Sequence, residues 1–318
     1  MRERITLLLI ALAFILSPAQ AQQDAQFSQY MFNTLFYNPA YAGVEGVTKL
    51  SAIYRSQWSG FTTTFDGSGG APNTQVVSLN APILRFRSGA GIHIVNDNLG
   101  PLNNLEVQAS YAYHLAIKDA KLSFGIRAGI FSQSINGNKY RAVDPDDDLL
   151  IDGKESQIRP DLALGAYYTT ENYYVGISVN HVLKAEFDFG VDQLRNALEN
   201  HVVLTAGYHY DFNNNFILTP SIIVKSEFNT YSFDFSLLGT YNDKFWGGVS
   251  FRQSDAAIVM LGYALGKENA LRLGYSLDYI IAGQDAKQPT SHEIVLSYTL
   301  PPVIPGSKKI IRTPRFRH

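Results

Sequence analysis

Two stretches of this chain carry the charge density that chemistry could use. From Asp144 to Glu155 it reads Asp-Pro-Asp-Asp-Asp-Leu-Leu-Ile-Asp-Gly-Lys-Glu. The carboxylates of Asp144, Asp146, Asp148, Asp152 and Glu155 fall at positions 1, 3, 5, 9 and 12 of an EF-hand count. Hard oxygen donors at that spacing suit Ca2+. Leu149, however, stands at the sixth position, where such a loop needs glycine, and strand patterns rather than helical ones flank it. Ca2+ in an irregular oxygen cage is the metal these residues offer; the alternative is a solvated acidic loop. The second stretch is basic. After Glu293 no carboxylate follows, yet Lys308, Lys309, Arg312, Arg315 and Arg317 do. Those side chains suit anionic lipid or an acidic protein partner, or a solvated terminus.

Other chemistry finds little support. A hydrolase would set a histidine beside a serine or a carboxylate pair within hydrogen-bond reach. None of His93, His114, His181, His201, His209, His292 and His318 has a spacing that demands this. Gly89-Ala90-Gly91 lacks the third glycine of a nucleotide fingerprint and sits in a strand pattern. Cys 0 removes disulfides and thiolate sites, and a net charge of −2 gives nucleic acid nothing to recognise. No enzyme and no resident cofactor are expected.

What must position these residues is a single repeated pattern, clearest in Ala270–Ile281. Leu271, Leu273, Tyr275, Leu277 and Tyr279 share one parity; Arg272, Gly274, Ser276 and Asp278 share the other. Successive strand side chains point to opposite faces, so one face is wholly apolar and the other holds both charges. Leu105–Ile117 repeats this, with Glu106, Gln108, Ser110 and His114 on the polar parity. Arg127, Arg252 and Asp234 fall on the polar parity of their own segments, and these three with Arg272 and Asp278 either line a pore or pair with one another.

We read fourteen such strands: 47–57, 74–80, 88–95, 105–117, 121–135, 160–170, 173–183, 201–212, 216–227, 232–241, 244–253, 256–266, 270–281 and 291–300. The apolar sets quoted carry no charge. Arg or Lys on the lipid side of a barrel costs about 2–4 kcal/mol at the bilayer midplane, which explains the exclusion. Links alternate in length. Lys118–Ala120, Glu171-Asn172, Asn213–Asn215, Asn242-Asp243 and Lys267–Asn269 are tight; residues 58–73, 136–159, 184–200 and 282–290 are long. The pattern predicts an all-β transmembrane antiparallel up-and-down barrel of about 14 strands, with short turns and both termini on the periplasmic side. Within the third long link, Val191–Leu198 suits a short helix over the mouth.

The start of the chain sets the compartment. Arg2 and Arg4 precede the apolar run Ile5–Leu16, and Ser17-Pro18-Ala19-Gln20-Ala21 ends in an Ala-x-Ala site. This is a secretory signal cut after Ala21, so residues 1–21 are removed. The aromatic, amide-rich segment 22–46 has no strand period and is either a plug inside the barrel or a periplasmic lead-in. The barrel follows over 47–300, and 301–318 is a basic periplasmic tail. Localisation is the bacterial outer membrane, with its lipid as one partner.

Gln26-Phe27-Ser28-Gln29-Tyr30-Met31, Phe36-Tyr37-Asn38-Pro39-Ala40-Tyr41-Ala42-Gly43 and Tyr54-Arg55-Ser56-Gln57-Trp58-Ser59-Gly60-Phe61, with the terminal Pro314-Arg315-Phe316, resemble the PorP/SprF family. The resemblance implies an outer-membrane barrel of the type IX secretion and gliding machinery of Bacteroidetes. It further implies a role in export or surface retention of cargo proteins with C-terminal sorting domains, and periplasmic contact with other components of that machine. The rival reading is a porin-like transport barrel for small solutes or hydrophobic compounds.

Overall fold

A computed structural model describes residues 24–61, 70–139, 153–189, 195–213, 215–227, 230–284 and 287–301. The strands of its first half are β1 (Lys49–Ser56), β2 (Asn73–Ile83), β3 (Ser88–Leu99), β4 (Leu102–Ile117), β5 (Ala120–Asn136), β6 (Lys154–Thr169), β7 (Tyr173–Asn180), β8 (Glu186–Asp188) and β9 (Arg195–Ala197). The second half supplies β10 (His201–Tyr208), β11 (Tyr210–Asn213), β12 (Phe216–Ser226), β13 (Tyr231–Tyr241), β14 (Phe245–Arg252), β15 (Ala256–Leu265), β16 (Leu271–Ile280) and β17 (Thr290–Thr299).

β8 and β9 pair only with each other. The remaining strands form one antiparallel sheet that closes where β1 meets β17 and where β10 meets β12. β10 and β11 are a single wall strand interrupted at His209, so the closed barrel has 14 strands. Each expected strand is present. No helix among the described residues is long and apolar enough to cross a membrane; the strands do that.

Parity decides which side each residue faces. In β4, Leu105 is 38% and Tyr111 47% exposed, whereas Gln108, on the opposite parity, is 0% exposed. Outward leucines, isoleucines and tyrosines recur around the wall, as hydrocarbon contact requires. At the tight links, Asn242 (φ 53°) and Asp243 (φ 55°) both adopt the left-handed region that a two-residue hairpin turn demands.

Two expectations need correction. β6 begins at Lys154 rather than near 160, because its first residues continue the β5 register from Asn136↔Lys154. Lys154–Arg159 lacks an apolar face, so the strand signal vanishes there although the backbone pairing continues. Of the helix expected over Val191–Leu198, residues 191–194 lie outside the described residues, and Arg195–Ala197 forms β9, which pairs with β8 in register Phe187↔Asn196. Phe187, Phe189 and Leu198 there bury against Phe131 at the top of β5, an apolar contact that a strand pair presents and that a local helical pattern does not foretell.

Thr299 lies opposite Lys49, so the wall begins and finishes at one end, that of the short links. We term this the turn end and the opposite one the loop end.

Candidate functional site

The lumen is occupied by the chain's own segment 24–46. It has no long helix or strand, only short turns at Tyr30–Phe32, Thr34–Tyr37 and Pro39–Tyr41. Phe27, Tyr30, Leu35, Phe36, Tyr37, Asn38, Ala40 and Ala42 are all buried. The segment crosses the barrel lengthwise: Asp24 contacts His181 and His201 at the loop end, and Val44 accepts from Lys121 Nζ (3.0 Å) at the turn end. The start of the described chain therefore stands at the end opposite to the start of β1 and the end of β17, so the expectation that both termini share one side does not hold: the leading segment runs the length of the barrel before the wall begins.

At the loop half, charge holds the segment. The Glu293 carboxylate of β17 accepts the successive backbone N–H groups of Ser28 (2.8 Å) and Gln29 (2.9 Å). Ser28 Oγ donates to Asp278 (2.8 Å) and accepts from Arg55 Nη1 (2.6 Å). Arg55 in turn pairs with Asp278 (2.7 Å) and Glu293 (3.2 Å), and all three side chains are almost completely buried. Arg252 pairs with Asp234 (2.7 Å) and donates to the Phe27 carbonyl (3.2 Å). The charges read on the polar parity thus include partners of one buried network rather than the lining of an open pore. Each carboxylate is compensated, which burial requires.

At the turn half, shape replaces charge. Asn38 Nδ2 donates to the wall carbonyls of Ala166 (3.0 Å) and Ile177 (3.1 Å), and Asn38 Oδ1 caps Ala40 N (2.9 Å). Arg127 donates to the Phe36 carbonyl (2.5 Å), and Ser178 to that of Tyr37 (2.7 Å). Inward glycines make room: a Cβ on Gly125 would overlap the Ala40 backbone, one on Gly165 the Asn38 side chain, and one on Gly89 the Ala42 carbonyl. Gly43 (φ 71°) then turns the chain toward β1 with its N–H on Asn80 (2.6 Å).

A third cluster sits where the segment starts. Asp24 accepts from His181 Nε2 (2.9 Å) and His201 Nδ1 (2.6 Å). The far nitrogen of His181 meets Asp161 (3.0 Å), and that of His201 meets Glu227 (3.2 Å). Burial alone would raise the Asp24 carboxyl, but His201 and His181 hold it well below the usual carboxylate range. Burial lowers His181, just beyond β7, yet Asp24 and Asp161 outweigh it and carry that imidazole up to about 10.

The residues singled out from sequence fare unevenly. Asp144, Asp146, Asp148 and Asp152 lie outside the described residues, as do Lys308, Lys309, Arg312, Arg315 and Arg317 and the signal. Glu155 is in β6, opposite Ile135. His93 is fully buried with Phe36 packed edge-on at 5.8 Å. His114 Nδ1 lies 2.7 Å from Ser123 Oγ, but Ser123 is 0% exposed. Missed altogether were the Asp24 cluster, whose members are 157 and 177 residues apart, and the glycines that seat the segment. Glycines recurring on the polar parity were the available signal for the second.

Comparison with known proteins agrees with this geometry. No curated protein sequence matches the chain. Among solved structures, the toluene transporter TbuX of Ralstonia pickettii aligns with a TM-score of 0.52 at 15% identity, covering 84% of this chain and 92% of that one. The TodX deltaS2S3 mutant, a monoaromatic hydrocarbon channel, aligns with a TM-score of 0.50 at 12% identity, covering 84% and 93%. At such identities the likeness is one of fold. The family described as type IX secretion system membrane protein PorP/SprF matches residues 19–298. That span takes in the lumenal segment, Arg55 and the whole wall but for its last residue, and so this outer-membrane barrel belongs to the PorP/SprF family of type IX secretion system membrane proteins.

Proposed function

We propose that the protein is a non-enzymatic, non-conducting platform in the outer membrane that supports export or surface retention of cargo proteins with C-terminal sorting domains. The observation that carries this reading is the lumen itself, filled by residues 24–46 and locked by Arg55, Asp278 and Glu293. A barrel so filled offers its two ends rather than its interior. In this reading the turn end faces the periplasm, where other components of the secretion machine dock, aided by the basic residues of 301–318. The loop end faces outward and holds cargo.

Deleting 301–318 is expected to abolish cargo display while leaving barrel assembly intact; unchanged display removes the tail from the account. The second reading, transport of small solutes or hydrophobic compounds, is favoured by the fold likeness to TbuX and TodX. Single-channel recording of the pure protein separates the two. Silence is expected for a platform, and a steady open conductance selects transport.

A further inference from the structure

We propose that Asp24, His181 and His201 form a binding site for one divalent transition-metal ion of the zinc class, which staples the start of the lumenal segment to the loop ends of β7 and β10. The donor atoms of these three side chains all lie within 4.8 Å of one another, and the two imidazoles meet edge to face with centroids 5.4 Å apart. Zinc takes imidazole nitrogen and carboxylate oxygen at about 2.0–2.2 Å, so modest side-chain adjustment brings all three onto one ion. Two nitrogens and an oxygen select against Ca2+ and Mg2+, which prefer oxygen throughout.

Proximity of donors is common; their orientation here is less so. A metal-bound histidine characteristically turns its other ring nitrogen to a carboxylate, which sets the tautomer and raises the ligand's basicity. His181 does this, its Nδ1 hydrogen-bonded to Asp161 at 3.0 Å; His201 Nε2 lies 3.2 Å from the Glu227 carboxylate, within ion-pair range but without hydrogen-bond geometry. Asp161 is itself held by Gln108 Nε2 at 2.8 Å. The set thus reads as one complete carboxylate–imidazole arm and a second imidazole beside its carboxylate, both converging on Asp24. Once the imidazoles are deprotonated, as ligation requires, three carboxylates outnumber the single lysine on the cavity wall, and an ion takes the place of the protons they now share. A small cavity beside Asp24, His201 and Glu227 leaves room for a fourth ligand such as water. Lys225 on its wall pairs with Asp234 at 3.5 Å, which tempers its repulsion.

The consequence is mechanical. His181 and His201 belong to the wall, whereas Asp24 belongs to the segment that fills it. One ion bridging the three ties the two parts together at the loop end, where the segment has no strand pairing.

The test uses the full-length chain with a non-histidine affinity tag, purified in detergent and stripped with EDTA. Zn2+ is added, excess is removed by desalting, and retained metal is counted by mass spectrometry. Co2+ is added in parallel and followed by visible absorption. One ion per chain is expected, with the strong absorption of four-coordinate Co2+ and with release of protons, because the ligands bind deprotonated. His181→Gln with His201→Gln should abolish binding, and Asp161→Asn should weaken it about 10–100-fold. Asp24→Asn, which lies outside the wall, should weaken it by a similar factor and remove the protection from proteolysis near residue 24 that Zn2+ adds to the stripped wild-type chain. Heat-modifiable migration on gels verifies the barrel in every variant. A wild-type chain that retains no stoichiometric Zn2+ overturns the proposal, as does an affinity in the Asp24→Asn variant equal to wild type.

Discussion

The two halves of the lumenal segment are held by different physics. Phe27–Gln29 is held by ions: Glu293, Asp278, Arg55 and Arg252 surround its backbone with charges that compensate one another. Asn38–Gly43 is held by shape: glycines on β3, β5 and β6 let its backbone lie against the wall, and amide bonds set its register. An ionic clamp fails when one member loses its partner, because an uncompensated charge then stays buried. A steric clamp fails only when the wall gains atoms. The first is sensitive to chemistry, the second to volume.

The largest effect is expected at the ionic clamp. Arg55→Met leaves Glu293 buried without its cation and Asp278 with only Arg252 at 3.7 Å, a loss of about 3–5 kcal/mol. Protease access to residues 24–46 in detergent should rise steeply while the wall keeps its heat-modifiable band. If access is unchanged, charge does not hold the loop half. Next comes Gly125→Val, which forces atoms into the Ala40 backbone and should cost about 1–3 kcal/mol. Its signature is protease cutting near Gly43 with the Phe27 end still protected; equal exposure of both halves would show that the clamps act as one. Ser178→Ala removes one bond to the Tyr37 carbonyl and should cost about 0.5–1.5 kcal/mol in urea unfolding. The smallest change belongs to Lys184→Ala. Its pair with Glu199 is half exposed, with side chains 51% and 42% accessible, so about 0–1 kcal/mol is expected. A loss there as large as at Arg55 would refute the ranking by burial.

The residues behind the family resemblance take on physical roles in this comparison. Phe27, Ser28 and Gln29 are the part gripped by charge; Asn38, Pro39 and Ala40 are the part seated on glycine; Arg55 is the centre of the ionic network. Trp58 extends the same corner, its backbone N–H donating to Ser291 Oγ (3.0 Å) and its ring beneath Lys287 (5.5 Å). The first motif stretch therefore meets the third, which begins at the end of strand β1, inside the barrel, through Ser28 and Arg55.

The fold was legible because a strand has period two and the bilayer punishes any exception to it. Leu271, Leu273 and Tyr275 had to alternate with Arg272, Gly274 and Ser276, and local side-chain chemistry alone set their faces. Where that pressure ends, legibility ends: Lys154–Arg159 pairs as strand without an apolar face, and Arg195–Ala197 pairs where a helix was expected. The tertiary structure decided the rest. Parity could show that Arg252, Asp234 and Asp278 point inward, but not that they meet one another and a carbonyl of the segment. Asp24, His181 and His201 converge only because the wall closes and its own leading segment threads it. Contacts of that range depend on closure geometry, on which a one-dimensional pattern is silent.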